Sequence, residues 1–254
     1  MIENQPSPFR HHGVYLITGG MGKIAGSLAE YLAEKYQARL VLIGRSKLND
    51  AQKEHVAKIR QIGGEILYVQ ADISKHREVQ EALEKAIDAF RVIHGVFHCA
   101  GIIKDRMLKD KTYNDFVDVV SGKVKGAIYL DEALQTQDID FFVMFSSTSY
   151  LGSAGQVDYA YANSFLNKFA DYRKKLCERG QRRGTSLSIS WPFWQDGGMK
   201  MGPEKIKLLK NIYGIEPLPN EVGLNALEEM LLQKESHVIL QYGKIDKIRK
   251  NSEA

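Results

Sequence analysis

"VYLITGGMGKIAG", Val14 to Gly26, is the stretch on which the fold turns. A run of β-forming residues ends at Thr18 in a glycine-rich turn, and the turn opens at once into a segment of helical period. Glycines at such a turn let the backbone approach a pyrophosphate, and the following helix N-terminus offers unpaired N–H groups with a partial positive charge. Thr18, Gly19, Gly20, Gly22 and Ile24 are therefore the first candidates for a dinucleotide site. A tight turn without a ligand would use the same glycines, so the reading depends on the rest of the chain.

Moving outward, short apolar runs recur: "ARLVLIGR", "EILYVQAD", "IHGVFHCAG", "FFVMFSS", "SLSISW" and "HVILQYG". Strands this continuously apolar belong in a parallel sheet covered on both faces. Between them, "GSLAEYLAEKY", "DAQKEHVAKIRQI", "REVQEALEKAIDAF", "NDFVDVVSGKVKGAIYLDEAL" and "ANSFLNKFADYRKKLCERG" repeat apolar residues every three or four positions, as amphipathic helices do. The alternation predicts an α/β chain, a Rossmann-type doubly wound parallel sheet of about seven strands with helices on both faces. It breaks once, in "PFWQDGGMKMGPEKIKLLKNIYGIEPLP", where an insertion over about 193–219 is expected to form a ligand lid rather than an ordinary surface connection.

With 254 residues the chain is expected to fold as one domain spanning 1–254. Its net charge of +4 is mild. The basic clusters at Arg173 to Lys175 and at Arg182 and Arg183 have no interleaved aromatics, so they read as solvated helix faces rather than a nucleic-acid surface. Cys99 and Cys177 are too far apart for a CxxC pair, which suggests neither a disulfide framework nor a metal site and fits a cytoplasmic setting. No apolar run is long enough for a signal peptide or a membrane span.

The second strand ends in Gly44, Arg45 and Ser46, with no carboxylate until Asp50. A sheet that binds NAD usually has an acid there for the ribose hydroxyl, whereas Arg45 suits a 2'-phosphate, so NADPH is the expected cofactor. Asp72 and Ile73 end the third strand near the expected adenine, and Ala100 and Gly101 end the fourth beside the expected cofactor. Cys99 reads as a packed residue rather than a nucleophile. After the fifth strand, "FSS" supplies Ser146 and Ser147, and "DYAYAN" supplies Tyr159 and Asn163. A serine hydroxyl and a tyrosine hydroxyl converging on one carbonyl oxygen form the acid side of a hydride reduction. A phenol with a pKa near 10 is a poor acid, so a cation is expected close by to lower it.

"GKVKGA", "FSS", "GQVDYAYANSFLNKFA" and "WPFWQDGGM" together resemble the ketoreductase domains of modular polyketide synthases, within the short-chain dehydrogenase/reductase superfamily. The last stretch is especially similar to synthases whose acyltransferase acts in trans. The superfamily at large places its lysine four residues after the tyrosine and an asparagine on the preceding helix; synthase ketoreductases exchange the two. The resemblance therefore implies Tyr159 as proton donor, Lys123 as the cation, Asn163 in support, and Ser146 or Ser147 on the carbonyl. Ser147 is preferred because the strand end fixes the geometry, but the loop before Tyr159 is one residue short and leaves both open. Lys125 would point ~200° round the helix from Lys123.

The resemblance also implies Asp105, Gln156, Trp191 and Met199 on the substrate side. Asp105 is what remains of an "LDD" motif and the loop before Tyr159 has no tryptophan, which favours the D-hydroxyl product; an ordinary loop carboxylate is the alternative. The implied reaction is NADPH-dependent reduction of a β-ketoacyl chain on an acyl carrier protein, inside a larger synthase, with this chain as the catalytic half without its N-terminal structural subdomain. Rival readings are a free-standing reductase of a diffusible ketone or alcohol, and a non-catalytic scaffold. Two departures stand out: Ala25 occupies a usual glycine position, and Gly26 has no assigned role.

Overall fold

The computed structural model of the chain describes residues 7–199 and 201–252. Residue 200, within the expected lid, and the two chain ends, within the expected domain, lie outside the described residues. The strands are β1 (Val14–Thr18), β2 (Arg39–Gly44), β3 (Glu65–Gln70), β4 (Gly95–His98), β5 (Phe141–Ser147), β6 (Thr185–Trp191) and β7 (His237–Ile239). The helices are α1 (Lys23–Tyr36), α2 (Asp50–Gln61), α3 (His76–Phe90), α4 (Tyr113–Ala133), α5 (Val157–Glu178), α6 (Pro203–Ile212), α7 (Asn220–Leu231) and α8 (Ile245–Ser252). All seven strands pair in parallel, as the sequence predicts, and their order is β3-β2-β1-β4-β5-β6-β7.

Two apolar layers hold the sheet. On one face Leu28 and Leu32 of α1, Val56 and Ile59 of α2 and Leu224 and Leu227 of α7 pack against Tyr15, Ile17, Leu40 and Leu42. On the other, Val79 and Leu83 of α3, Leu130 of α4 and Leu166 of α5 pack against Leu16, Val41, Val96 and Phe142. Each such buried leucine stabilises the fold by about 1.5–3 kcal/mol. Strand alternation sends odd and even positions to opposite layers, which explains why the central strands β1, β2 and β5 are almost continuously apolar.

Helix starts are locally encoded where they matter for the site. Thr112 caps α4, its side chain accepting from the Asp115 N–H while Asp115 reaches back, and Asn49 and Gln52 do the same for α2. By contrast, α1 begins at Gly22 with no side-chain cap and no acidic residue in its first turn. Gly26 has a packing role, because a Cβ there would lie 3.0 Å from His55 Nε2 of α2. Ala25 is buried and fits where glycine was expected.

The structure differs from the sequence reading in two places. Arg173 is 1% exposed, not part of a solvated face: its guanidinium bonds Asp131 at 2.8 Å, Ser186 at 2.9 Å and the Arg183 carbonyl at 2.8 Å, over the Phe142 ring. Arg182 completes the set, 2.9 Å from the other Asp131 oxygen. Asp131, about five turns along α4, supplied a buried partner that local sequence could not reveal. The strand expected over "HVILQYG" is only three residues long, because the chain leaves β6 after Ile239 and bridges Ile215 through Gly243 instead.

Candidate active site

The carboxyl ends of β1, β4, β5 and β6 converge where the strand order reverses, between β1 and β4, which is where ligands bind in sheets of this kind. Two cavities meet there, sharing Gly19 and Gly101. One, of about 360 Å³, is lined by Gly44, Arg45, Asp72, Ile73, Ala100 and Gly122. The other, of about 520 Å³, holds Lys123, Ser146, Ser147, Tyr159, Trp191 and Met199.

In the first cavity, Gly19 adopts φ +66°, and a Cβ there would lie 2.9 Å from the Ala100 Cα. Only glycine allows both that conformation and that approach. Gly22 and Ile24 open α1 at the second cavity, beside its uncapped N-terminus. Together they offer an anion site at the junction of the two cavities, which fits a dinucleotide's phosphates. Arg45 is exposed at the rim, close enough to Asp72 to favour its charged form. Burial raises the Asp72 pKa, but bonds from the Ser74 hydroxyl and N–H, with Arg45, hold it below the ordinary value.

Three expected cofactor residues do not line either cavity. Thr18 is fully buried; its hydroxyl lies 2.8 Å from His98 Nδ1 and accepts from the Ala100 N–H at 3.3 Å. Gly20 is packed beneath β2, where a Cβ would sit 2.7 Å from Leu42 Cβ. Ser46 is exposed, and its carbonyl accepts from Tyr68. Thr18 and Gly20 thus shape the turn from below.

In the second cavity α4 and α5 bring together residues 36 apart. Lys123 is buried, its Nζ donates to the Phe145 carbonyl at 2.7 Å, and it stands 5.3 Å from the centre of the Tyr159 ring. Gly101 makes room for it, since a Cβ there would come within 2.8 Å of Lys123 Cε. Burial lowers the Lys123 pKa to about 8. Beneath it, burial holds the His98 pKa at about 3, so the ring is neutral, with Nε2–H donating to the Lys123 carbonyl at 2.9 Å.

Tyr159 differs from expectation. Burial pushes its phenol above the ordinary value, while neighbouring Asn163 and Ser147 pull it back and Asp105 adds to the rise. Desolvation therefore sets the direction of the Tyr159 shift in the free chain.

The two serines have different surroundings. Ser146, buried at the cavity wall, donates to the Asn163 carbonyl at 3.2 Å and lies 3.4 Å from Ser190 Oγ. Ser147 acts on Tyr159 and otherwise only accepts from the Ser149 N–H, at 3.2 Å. Asn163 donates to Ser149 Oγ at 3.2 Å, but its Oδ1 is buried without a hydrogen-bond partner among the described residues, and so is the Trp191 indole N–H. Buried unpaired groups cost free energy and suit a partner from outside the chain. Asp105 accepts from Gln156 Nε2 at 3.0 and 3.1 Å, uniting two residues expected on the substrate side. Met199 is exposed at the cavity mouth, and α6 in the expected lid buries none of its residues. Among the described residues no helix is long and apolar enough to cross a membrane.

Lys111 and Asp158 escaped the sequence reading. They form an ion pair at 2.6 Å beside Tyr159, and their separation of 47 residues leaves no local signal.

The chain matches the KR domain family over residues 13–196. It is 39% identical to polyketide synthase PksN of Bacillus subtilis over 246 residues, covering 96% of this chain and 4% of PksN. A solved ketoreductase domain from the bacillaene assembly line superposes with a TM-score of 0.94 at 36% identity, covering 99% of this chain and 61% of that one. NAD+-bound xylitol dehydrogenase, at 17% identity and a TM-score of 0.77, shares the fold.

Proposed function

Because the chain belongs to the KR domain family of ketoreductases, we propose that it reduces a β-ketoacyl thioester, carried on an acyl carrier protein within a polyketide synthase, to the β-hydroxyacyl thioester with NADPH. The observation that carries this is the buried Lys123 ammonium from α4 over the Tyr159 ring from α5, at the floor of a cleft continuous with the groove of Gly19 and Arg45.

When bound, the nicotinamide supplies the hydride to the carbonyl carbon. Tyr159 gives its phenolic proton to the carbonyl oxygen, and Ser147 donates a hydrogen bond to that oxygen. With a pKa of about 8, Lys123 is mostly cationic at neutral pH and stabilises the phenolate left behind. Asn163 holds the relay side through its unpaired Oδ1. Gly19, Gly22 and Ile24 seat the phosphates, Arg45 takes the 2'-phosphate, and Asp72 and Ile73 border the adenine. The Asp105–Gln156 contact and the loop's lack of tryptophan support the D-hydroxyl product.

Incubation with NADPH and a 3-oxoacyl thioester on a phosphopantetheinylated carrier tests the reading. The expected product is heavier by two hydrogens and is the D-epimer on chiral chromatography; absence of any reduced product overturns the assignment.

A further inference from the structure

Lys111 and Asp158 are buried together, with side chains 2% and 1% exposed. Desolvating two charges is costly unless further hydrogen bonds satisfy them. Both have such bonds: Lys111 Nζ also donates to the Lys104 carbonyl at 2.8 Å, and Asp158 Oδ1 accepts from the Tyr159 N–H at 2.9 Å. Lys111 thus closes the 104–111 loop on itself and ties it to the residue before Tyr159. The next residue, Thr112, caps α4. One ion pair therefore joins the start of the helix carrying Lys123 to the start of the helix carrying Tyr159.

Two more contacts join the same segments. Gln156 donates to Asp105, and the Arg106 N–H donates to the Gly155 carbonyl at 2.9 Å. The Asp105–Gln156 contact faces solvent and contributes little on its own, so the dry pair sets the spacing. Asp105, on the braced loop, and Ile103 just before it line the same cleft as Ser147 and Tyr159.

We propose that Lys111 and Asp158 are positioning residues that fix the distance between the Ile103–Asp105 wall and Tyr159, and so select the ketone face that receives hydride. Neither lines the cleft or the dinucleotide groove. The inference rests on the reductase reading above.

The test is the doubly apolar variant Lys111→Met/Asp158→Leu, since replacing a buried pair by apolar groups of similar volume often preserves stability. Turnover of NADPH with a 3-oxoacyl N-acetylcysteamine thioester is followed, and the hydroxyl epimers are separated by chiral chromatography. Expected are a melting curve and NADPH affinity like those of the unsubstituted chain, with the epimer ratio reduced roughly 100-fold, the scale of effect that ~1 Å of misplacement brings. A folded variant that keeps the epimer ratio overturns the proposal. If the double variant does not fold, Lys111→Arg carries the same test, because its planar fork keeps the charge but changes the reach; an unchanged ratio there likewise overturns it. No reduction by the unsubstituted chain would instead sink the reductase reading on which the proposal stands.

Discussion

Replacing Lys123 by methionine should stabilise the free chain while removing its activity. The ammonium is buried, and its pKa falls from 10.5 to about 8. At 1.36 kcal/mol per pKa unit, that corresponds to about 3 kcal/mol of folding free energy lost to holding the cation. Methionine removes this penalty but also the charged bond to the Phe145 carbonyl, worth about 1.5–3 kcal/mol. The net gain at pH 7 is about 1 kcal/mol, or about 2–4 °C in Tm for a chain of this size. The sign follows from proton counting. Between pH 8 and 10.5 the unfolded lysine keeps a proton that the folded one has released, so the penalty is full below pH 8 and fades as pH rises through that window. Thermal unfolding of both proteins at pH 7 and pH 10 should show the variant's advantage at pH 7 and its loss by pH 10. A variant that melts lower at pH 7, or a difference independent of pH, refutes the reasoning.

Gly101→Ala should push Lys123 aside, because the new methyl would lie 2.8 Å from Cε; kcat/KM is expected to fall roughly 100-fold, and an unchanged value in steady-state assays contradicts the packing argument. Asp131→Ala leaves Arg173 charged and unpaired in the core, a loss of about 3–5 kcal/mol and about 6–20 °C in Tm by calorimetry. Arg45→Ser should weaken NADPH relative to NADH by tenfold or more, as removal of a charged hydrogen bond of about 1.5–3 kcal/mol requires; equal loss for both cofactors in fluorescence titrations counts against the 2'-phosphate role.

The sheet was legible because its central strands β1, β2, β4 and β5 are buried on both faces and announce themselves as apolar runs, and the glycine turn marked its start. "DYAYAN" with "GKVKGA" likewise pointed to Lys123 and Tyr159 as partners, and the structure sets the two side chains together. Three features stayed hidden because they depend on contacts distant in sequence. Thr18 and Gly20 sit in the nucleotide motif yet face His98 and Leu42. Arg173 looked like a surface cation until Asp131 of α4 met it. The phenol of Tyr159 was expected to be acidified, but burial depends on how α5 packs, and it wins in the free chain.

The most direct test compares NADPH oxidation with a β-ketoacyl thioester by the unsubstituted chain and by Tyr159→Phe. The variant keeps the ring under Lys123 and removes only the proton donor. The account predicts a kcat lower by about 10²–10⁴-fold with NADPH binding unchanged. Equal rates in the two proteins would contradict it.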